Sequence, residues 1–304
     1  MIKPLVYIIV LNYNGYSDTI ECIKSIRNIE GVIPQVVIVD NKSIDNSLKY
    51  LREECRDCTI IENEDNLGFA GGNNVGIKYA LENNADFILI LNNDTIVDSK
   101  FLLELLIGME EKEVGVTAPK VYFHGTNIIN SFGATKGKLE GVKNFAENIA
   151  DSEEFNRDKY VTHVMGCCML VRSEVFRNVG LFDDEFFMYL EESDLCERVV
   201  KYYKIKVLYK SKIWHKCGAS TKKATIKINY FARYYTRRNF LLYLDKNTTA
   251  SKALLIKGIT LIKDIAYCFK YLQDKKYRMV IKEAWKDYIS KNFYRSEKIQ
   301  ELLK

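Results

Sequence analysis

Apolar runs that stop abruptly in polar residues dominate the first third of the chain. Leu5 to Leu11 ends in Asn12-Tyr13-Asn14-Gly15, and Gln35 to Val39 ends in Asp40-Asn41-Lys42-Ser43. Thr59 to Ile61 is a shorter run, and Phe87 to Leu91 ends in Asn92-Asn93-Asp94. Short continuous apolar runs predict strands buried on both faces, as in a parallel sheet. Helical patterns lie between them. One carries Ile20, Ile23 and Ile26 behind Ser17 or Asp18 as a cap; the next starts from Ser43 or Asp45 and reaches about Glu54. After a loop over Asn63 to Gly72, Val75 pairs with Tyr79 and Ile77 with Leu81 at i,i+4 spacing. This alternation predicts an α/β fold with helices on both faces of the sheet. Ligands of such sheets sit outside the carboxyl ends of the strands. The end of the 87–91 strand is therefore the first place to expect a site for a metal and an anionic ligand.

Past Asp94 the pattern loosens. Phe101 to Met109 is helical, with Ser99 placed to cap it, and Val114 to Thr117 and Lys120 to Phe123 read as short strands. Residues 124–160 are polar with several Gly and read as a variable loop or small hairpin. Val164 to Val171 is apolar again; Ser173 caps a short helix that Gly180 ends. Glu191 to Tyr203 reads as a helix, Ile205 to Tyr209 as a strand, and His215 falls in a loop after it. Residues 224–244 are aromatic and basic, and two amphipathic helices with many Lys follow at roughly 251–271 and 275–290.

Composition is ordinary for a soluble globular protein, with 47% hydrophobic and 28% charged residues among 304. The charge distribution changes the picture. Residues 246–304 hold 14 Lys+Arg against 6 Asp+Glu, a net +8, while the whole chain carries +5. A basic tail suggests an anionic partner, a membrane surface or nucleic acid. No stretch has the roughly 20 apolar residues of a membrane span. The eight cysteines lack regular spacing and read as reduced cytosolic thiols; Cys55-x-x-Cys58 has no second such pair.

Three acidic segments are candidates for chemistry: Asp40, Asp94 and the cluster Glu191-Glu192-Ser193-Asp194. Asp40 reads equally well as a helix cap. Crowding three carboxylates raises the proton affinity of at least one, which suits a general base, although acids also gather at helix N-termini for the dipole. The loop Asn66 to Asn74 is Gly-rich and precedes a helix, but it fits neither a dinucleotide fingerprint nor a P-loop, since Ile77 stands where Lys is required. His215, in Trp214-His215-Lys216-Cys217-Gly218-Ala219-Ser220, is a candidate metal ligand, though a lone His is more often structural. His124 and His163 have no supporting context.

Taken in order, these segments resemble a family. Leu11-Asn12-Tyr13-Asn14-Gly15, Val39-Asp40-Asn41, Asn66-Leu67-Gly68-Phe69-Ala70-Gly71-Gly72-Asn73 and Leu91-Asn92-Asn93-Asp94 are similar to the family 2 glycosyltransferases. Gly166 to Arg172, Gly180 to Asp183, Phe186 to Cys196, His215 with Gly218 and Ser220, and Tyr234 to Asn239 continue the series. The match is to the rhamnosyltransferase-like branch that builds surface polysaccharides, and it covers about residues 5–245. It implies a GT-A fold, a mixed, mostly parallel sheet flanked by helices. Residues 1–98 would form its nucleotide-binding half, 99–245 its acceptor-binding half, and 246–304 a basic helical extension. It also implies inverting transfer from a dTDP- or UDP-sugar to a glycan or lipid-linked acceptor.

Carried over residue by residue, the donor site takes Asn12, Asn14, Asp40, Asn66, Gly71, Gly72, Asn73, Asn93 and Asp94. Asp94 and His215 would hold a divalent cation, Mg²⁺ or Mn²⁺, and Glu192 would activate the acceptor, with Glu191 or Asp194 sharing that role. Two positions depart from the family pattern. Glu192 stands where an Asp is usual, and Asn92 stands where many relatives have the first Asp of the metal motif. A nucleotidyltransferase would favour basic residues after the first strand, where Asn12 to Gly15 stand instead. A non-catalytic nucleotide-sugar or membrane-binding module would leave the ordered acidic sites unexplained. The expected place of work is the cytoplasm, peripherally at the membrane's inner face, without nucleic acid.

Overall fold

Val6 to Val10 are all buried, and their alternate side chains go to opposite sides of a sheet. The computed structural model describes residues 4–137, 141–217 and 229–303. Strand β1 (Val6–Asn12) leads into helix α1 (Tyr16–Ile26), β2 (Gln35–Asp40) into α2 (Ser47–Glu54), and β3 (Thr59–Glu62) into α3 (Gly68–Glu82). Next come β4 (Phe87–Asn92), β5 (Thr95–Val97), α4 (Phe101–Gly108), β6 (Val114–Phe123) and β7 (Ile128–Ser131). Short strands β8 (Ala134–Lys136), β9 (Val142–Asn144), β10 (Ile149–Ala150) and β11 (Lys159–Val161) follow. Then come β12 (Cys168–Arg172), α5 (Ser173–Val179), α6 (Glu191–Val199) and β13 (Lys204–His215). Helices α7 (Tyr230–Asn247), α8 (Ala250–Lys270), α9 (Lys275–Ile289) and α10 (Glu297–Leu303) come last.

The main sheet runs β10-β7-β6-β12-β4-β1-β2-β3, with β13 pairing β6, β5 and β11 off that path. It is parallel through β4-β1-β2-β3, and β12 joins it antiparallel to both β4 and β6. Tyr7, Ile9, Val37 and Ile90 meet α3 and α6 on one face. Val6, Ile8, Ile38 and Leu89 meet α1, α2 and α4 on the other. Each such side chain, taken from water, contributes about 1.5–3 kcal/mol. The strand ends are thereby fixed to a rigid frame.

Several local expectations are corrected. Helix α3 begins at Gly68, so Gly71, Gly72 and Asn73 are helical rather than loop. A Cβ on Gly72 would meet Leu11 Cδ1 at 2.5 Å, and one on Gly76 would collide with Ile9 Cγ2. These glycines let the helix lie close on β1. None of Ser17, Asp18, Ser43, Asp45, Ser99 or Ser173 is the N-cap of its helix; those positions are Gly15, Asn46, Lys100 and Arg172. The two short strands at 114–123 are one strand, because β13 bulges between Leu208 and Lys212, opposite Pro119 and Lys120. A proline cannot donate to the ladder, and the bulge absorbs the break. Residues 124–160 contain β7 to β10 and the start of β11, with β8 and β9 forming a separate hairpin. His215 ends strand β13 rather than lying in a loop. Gly218 and Ser220 lie outside the described residues.

Candidate active site

Hydrogen bonds join the carboxyl ends of β1, β2 and β4 into one network. Asn12 Nδ2 donates to Asp40 Oδ1 at 2.8 Å and to Ser43 Oγ at 3.1 Å, while its Oδ1 accepts from Thr19 Oγ1 at 2.7 Å. Thr19 Oγ1 in turn accepts from Asn93 Nδ2 at 2.9 Å. Asp40 also receives Ser43 N and Oγ. Asn12 and Asp40 are both buried, so their side chains serve the network at the strand ends. Asn14 has positive φ and accepts from Ile44 N at 2.8 Å, which ties the β1 turn to the β2 turn.

Asn41, absent from the residues singled out for the donor site, is a hub. Its Nδ2 donates to Asn66 Oδ1 and to Gly68 O, and its Oδ1 accepts from Asn63 Nδ2 and Leu67 N. It thus holds the start of α3 from outside, where the helix has no side-chain cap of its own. Asn73 donates to Phe69 O, while its buried Oδ1 has no hydrogen-bond partner among the described residues. A cavity of about 330 Å³ borders Asn66 and Gly71, and Tyr294 and Arg295 from the far end of the chain complete its wall.

Asp94 occupies the turn between β4 and β5. In the register of β13 on β5, His215 lies opposite Thr95, which brings the imidazole to Asp94: Nε2 to Oδ1 is 3.0 Å. Lys216 N donates to Asp94 O, and Lys216 Nζ reaches Asp18 and Glu21 on α1, each at 2.6 Å. His215 Nδ1 faces Cys217 Sγ at 3.5 Å. Burial lowers the proton affinity of His215, but the bonds to Asp94 and Cys217 outweigh it and raise its pKa to about 9. The imidazole therefore holds its second proton at neutral pH.

The second acidic cluster starts α6. Leu190, just before it, has φ +72°. Asp194 is buried and spends both oxygens, Oδ2 on Arg198 Nε at 2.9 Å and Oδ1 on Asn247 Nδ2 at 2.8 Å. Glu191 is buried with Oε2 unpartnered among the described residues. Burial, then Glu192, pushes its carboxyl well above the usual range. Glu192 is half-buried and its pKa is raised by burial; the nearby His163 favours its charged form. Glu192 lies over Gly166, where a Cβ would meet Glu192 Cβ at 3.2 Å. The next residue, Cys167, accepts from Asn92 N at 2.9 Å through its carbonyl. The backbone of 166–167 therefore bridges Glu192 to the end of β4, two residues from Asp94.

A match to known sequences identifies the family. The profile described as Glycosyl transferase family 2 matches residues 7–180, more than half of the chain.

The chain belongs to glycosyl transferase family 2.

Among similar proteins is the low-salt glycan biosynthesis hexosyltransferase Agl10 of Haloferax volcanii, 29% identical over 63% of this chain. The match spans only 60% of that protein's length. The dTDP-rhamnosyl transferase RfbF of Shigella flexneri is 26% identical over 78% of this chain and 82% of its own. In fold, the chain is similar to the mannosyltransferase PcManGT of Pyrobaculum calidifontis, solved with GDP-Man and Mn²⁺. That likeness has a TM-score of 0.59 at 12% identity and covers 95% of this chain and 88% of the other. The mixed sheet with its covering helices is the GT-A fold, and helices α8 to α10 follow it.

In this family 2 chain the loop before α6 is held from helix α7. Asn239 Nδ2 donates to Phe186 O, Met188 O and Tyr189 O, each at 2.8 Å. Arg238 donates to Glu185 O, Phe186 O and Tyr294 O. Phe187, Tyr189 and Leu190 all have positive φ, a costly conformation for such residues. The clamp keeps the strained loop in place and so sets where α6, which carries Glu192 in its first turn, begins. A second group that sequence reasoning missed is His163, buried with Nε2 3.4 Å from Glu197 Oε1. Neither contact has a local signal, since the partners lie dozens of residues apart.

Proposed function

We propose that this chain is an inverting glycosyltransferase. It would move a sugar from a dTDP- or UDP-sugar to a hydroxyl of a glycan or lipid-linked glycan, in surface polysaccharide synthesis at the cytoplasmic face of a membrane. Rhamnose is the sugar favoured by the relative named as a dTDP-rhamnosyl transferase. The observation that carries the reading is the meeting of Asp94 and His215 at the carboxyl end of β4, with Glu192 bridged to the same end through Gly166.

The donor's nucleotide lies along the ends of β1 and β2, over Asn12, Asn14 and Asp40. Asn66, Gly71, Gly72 and Asn73 hold its other side, and Asn93 and Asp94 face the diphosphate. Residues 1–98 serve as the nucleotide half, 99–245 as the acceptor half, and 246–304 as the extension. One carboxylate, and one imidazole once its proton is displaced, would suit a divalent cation and leave room for phosphate oxygens and water to complete the set. Asp94 and His215 would hold Mg²⁺ or Mn²⁺, which when bound neutralises charge developing on the diphosphate.

Glu192 takes the proton of the acceptor hydroxyl as that oxygen attacks the anomeric carbon. The bond from carbon to diphosphate oxygen breaks, and the nucleoside diphosphate leaves with the electron pair. One displacement inverts the anomeric centre and needs no protein nucleophile. Of the three clustered acids, Asp194 is committed to Arg198 and Asn247 and Glu191 is buried, whereas Glu192 is half-buried, which supports Glu192 as the base.

The test is incubation with a panel of UDP-, dTDP- and GDP-sugars under Mg²⁺ and Mn²⁺. Slow release of nucleoside diphosphate from at least one donor, lost in Asp94→Ala, supports the reading. No release from any of them counts against it.

A further inference from the structure

Helix α8 wears its apolar residues on the outside. Its buried positions are Ala253, Ile256, Thr260 and Asp264, the arc that packs on α7 and α9. At 3.6 residues per turn, Leu254, Ile262, Ile265 and Phe269 fall on the opposite arc. Leu254 is 74% exposed, Ile262 69% and Phe269 66%. An amphipathic helix in a globular protein normally turns that stripe inward. An outward stripe along a 21-residue helix marks a surface that meets something else.

Charge identifies the partner. Lys263 and Lys270 flank the stripe and are exposed. Three of the six acids in residues 246–304, Asp264, Glu283 and Asp287, are buried, so the exposed surface is more basic than the composition. Asp264 is neutralised within the fold by Arg237 at 2.8 Å. A second copy docking α8 on α8 would bring like-charged lysines together, whereas an anionic lipid surface accepts both the stripe and its rim. Between α8 and α9 an apolar cleft of about 400 Å³, lined by Ile265, Phe269, Ile281 and Trp285, also borders Arg278, Lys282 and the already paired Asp264. It offers room for an acyl chain beside two cations. No helix among the described residues is long and apolar enough to cross a membrane.

We propose that α8 lies in the plane of an anionic bilayer, its Leu254–Ile262–Phe269 stripe among the headgroups and acyl carbons and its lysines on the phosphates. This inference stands on α8 and the cleft it shares with α9 and does not depend on the donor site.

Vesicle co-sedimentation of the full chain tests it. Vesicles of phosphatidylglycerol and phosphatidylcholine in equal parts should bind at least about tenfold more tightly than phosphatidylcholine alone, and salt should weaken the binding. The double change Ile262→Glu with Phe269→Glu should abolish binding. Lys263→Glu with Lys270→Glu should weaken it on anionic vesicles alone. Both alter exposed positions, and unchanged circular dichroism confirms folding. Three results would overturn the proposal: equal binding to both vesicles; undiminished binding by both variants; or a lipid-free dimer that the Ile262 and Phe269 changes dissociate.

Discussion

His215 Nε2 stands 3.0 Å from Asp94 Oδ1, although 121 positions separate them in the sequence. The contact joins the end of β4 to the end of β13. A raised folded pKa means the pair stabilises the fold fully below the ordinary histidine range and loses that contribution as pH rises through about 9. Titration of the imidazole by NMR should therefore give a midpoint near 9 in the metal-free protein. In Asp94→Asn only burial and Cys217 remain, and the midpoint should fall by about two units or more. A cation on His215 must displace that proton. Apparent Mn²⁺ affinity should then rise about tenfold per pH unit up to about 9, a slope that calorimetry reads directly.

Gly166 should control transfer without touching the donor. A methyl group there presses on Glu192 Cβ and Cγ, at 3.2 and 3.3 Å. Gly166→Ala is expected to lower the rate of transfer about 10²-fold while leaving the dissociation constant of the nucleotide sugar unchanged. Equal losses in both would instead mean a collapse of the strand end.

Asn239 makes three hydrogen bonds to carbonyls of a strained loop, and Asn239→Ala removes them all. The two N–H groups are shared among three carbonyls, so at about 0.5–1.5 kcal/mol per N–H the loss is about 1–3 kcal/mol of stability, measurable by urea unfolding. Proteolysis should cut first between Phe186 and Leu190, since those carbonyls would lose their anchor.

The parallel half of the sheet and its polar strand ends were legible in the sequence because a strand buried on both faces leaves an unbroken apolar run. Val6 to Val10 and Phe87 to Leu91 needed nothing beyond that rule. The start of α3 was not legible, since Asn41 holds it from just past the end of β2, and three glycines in a row of amides read as a loop. The place of His215 in a strand depends on pairing with Thr95 and Phe123, a register no local pattern records. The outward stripe of α8 was equally hidden. Periodicity marks which residues share a face but not which face turns to the core.

Glu197 carries an acid sensitivity of its own. Burial raises its pKa, but hydrogen bonds from His163, Tyr243 and Lys136 more than reverse this and hold it at about 2. A depressed folded value gives stability that is present above the unfolded carboxylate range, near 4.3, and lost as pH falls towards 2. Thermal melts should show Glu197→Gln less stable than wild type at pH 7 by about 2 kcal/mol, with the gap closing between about pH 4 and pH 2.

The central claim is that the β4 end is a nucleotide-sugar site served by a base from α6. Calorimetric binding of dTDP- and UDP-sugars with Mn²⁺, read beside product formation, tests it most directly. The wild type should bind at least one donor; Asp94→Ala should weaken that binding about tenfold or more, and Glu192→Gln should bind it normally yet transfer at least about 10²-fold more slowly. Donor binding unaffected by Asp94→Ala, or full transfer by Glu192→Gln, would contradict the account.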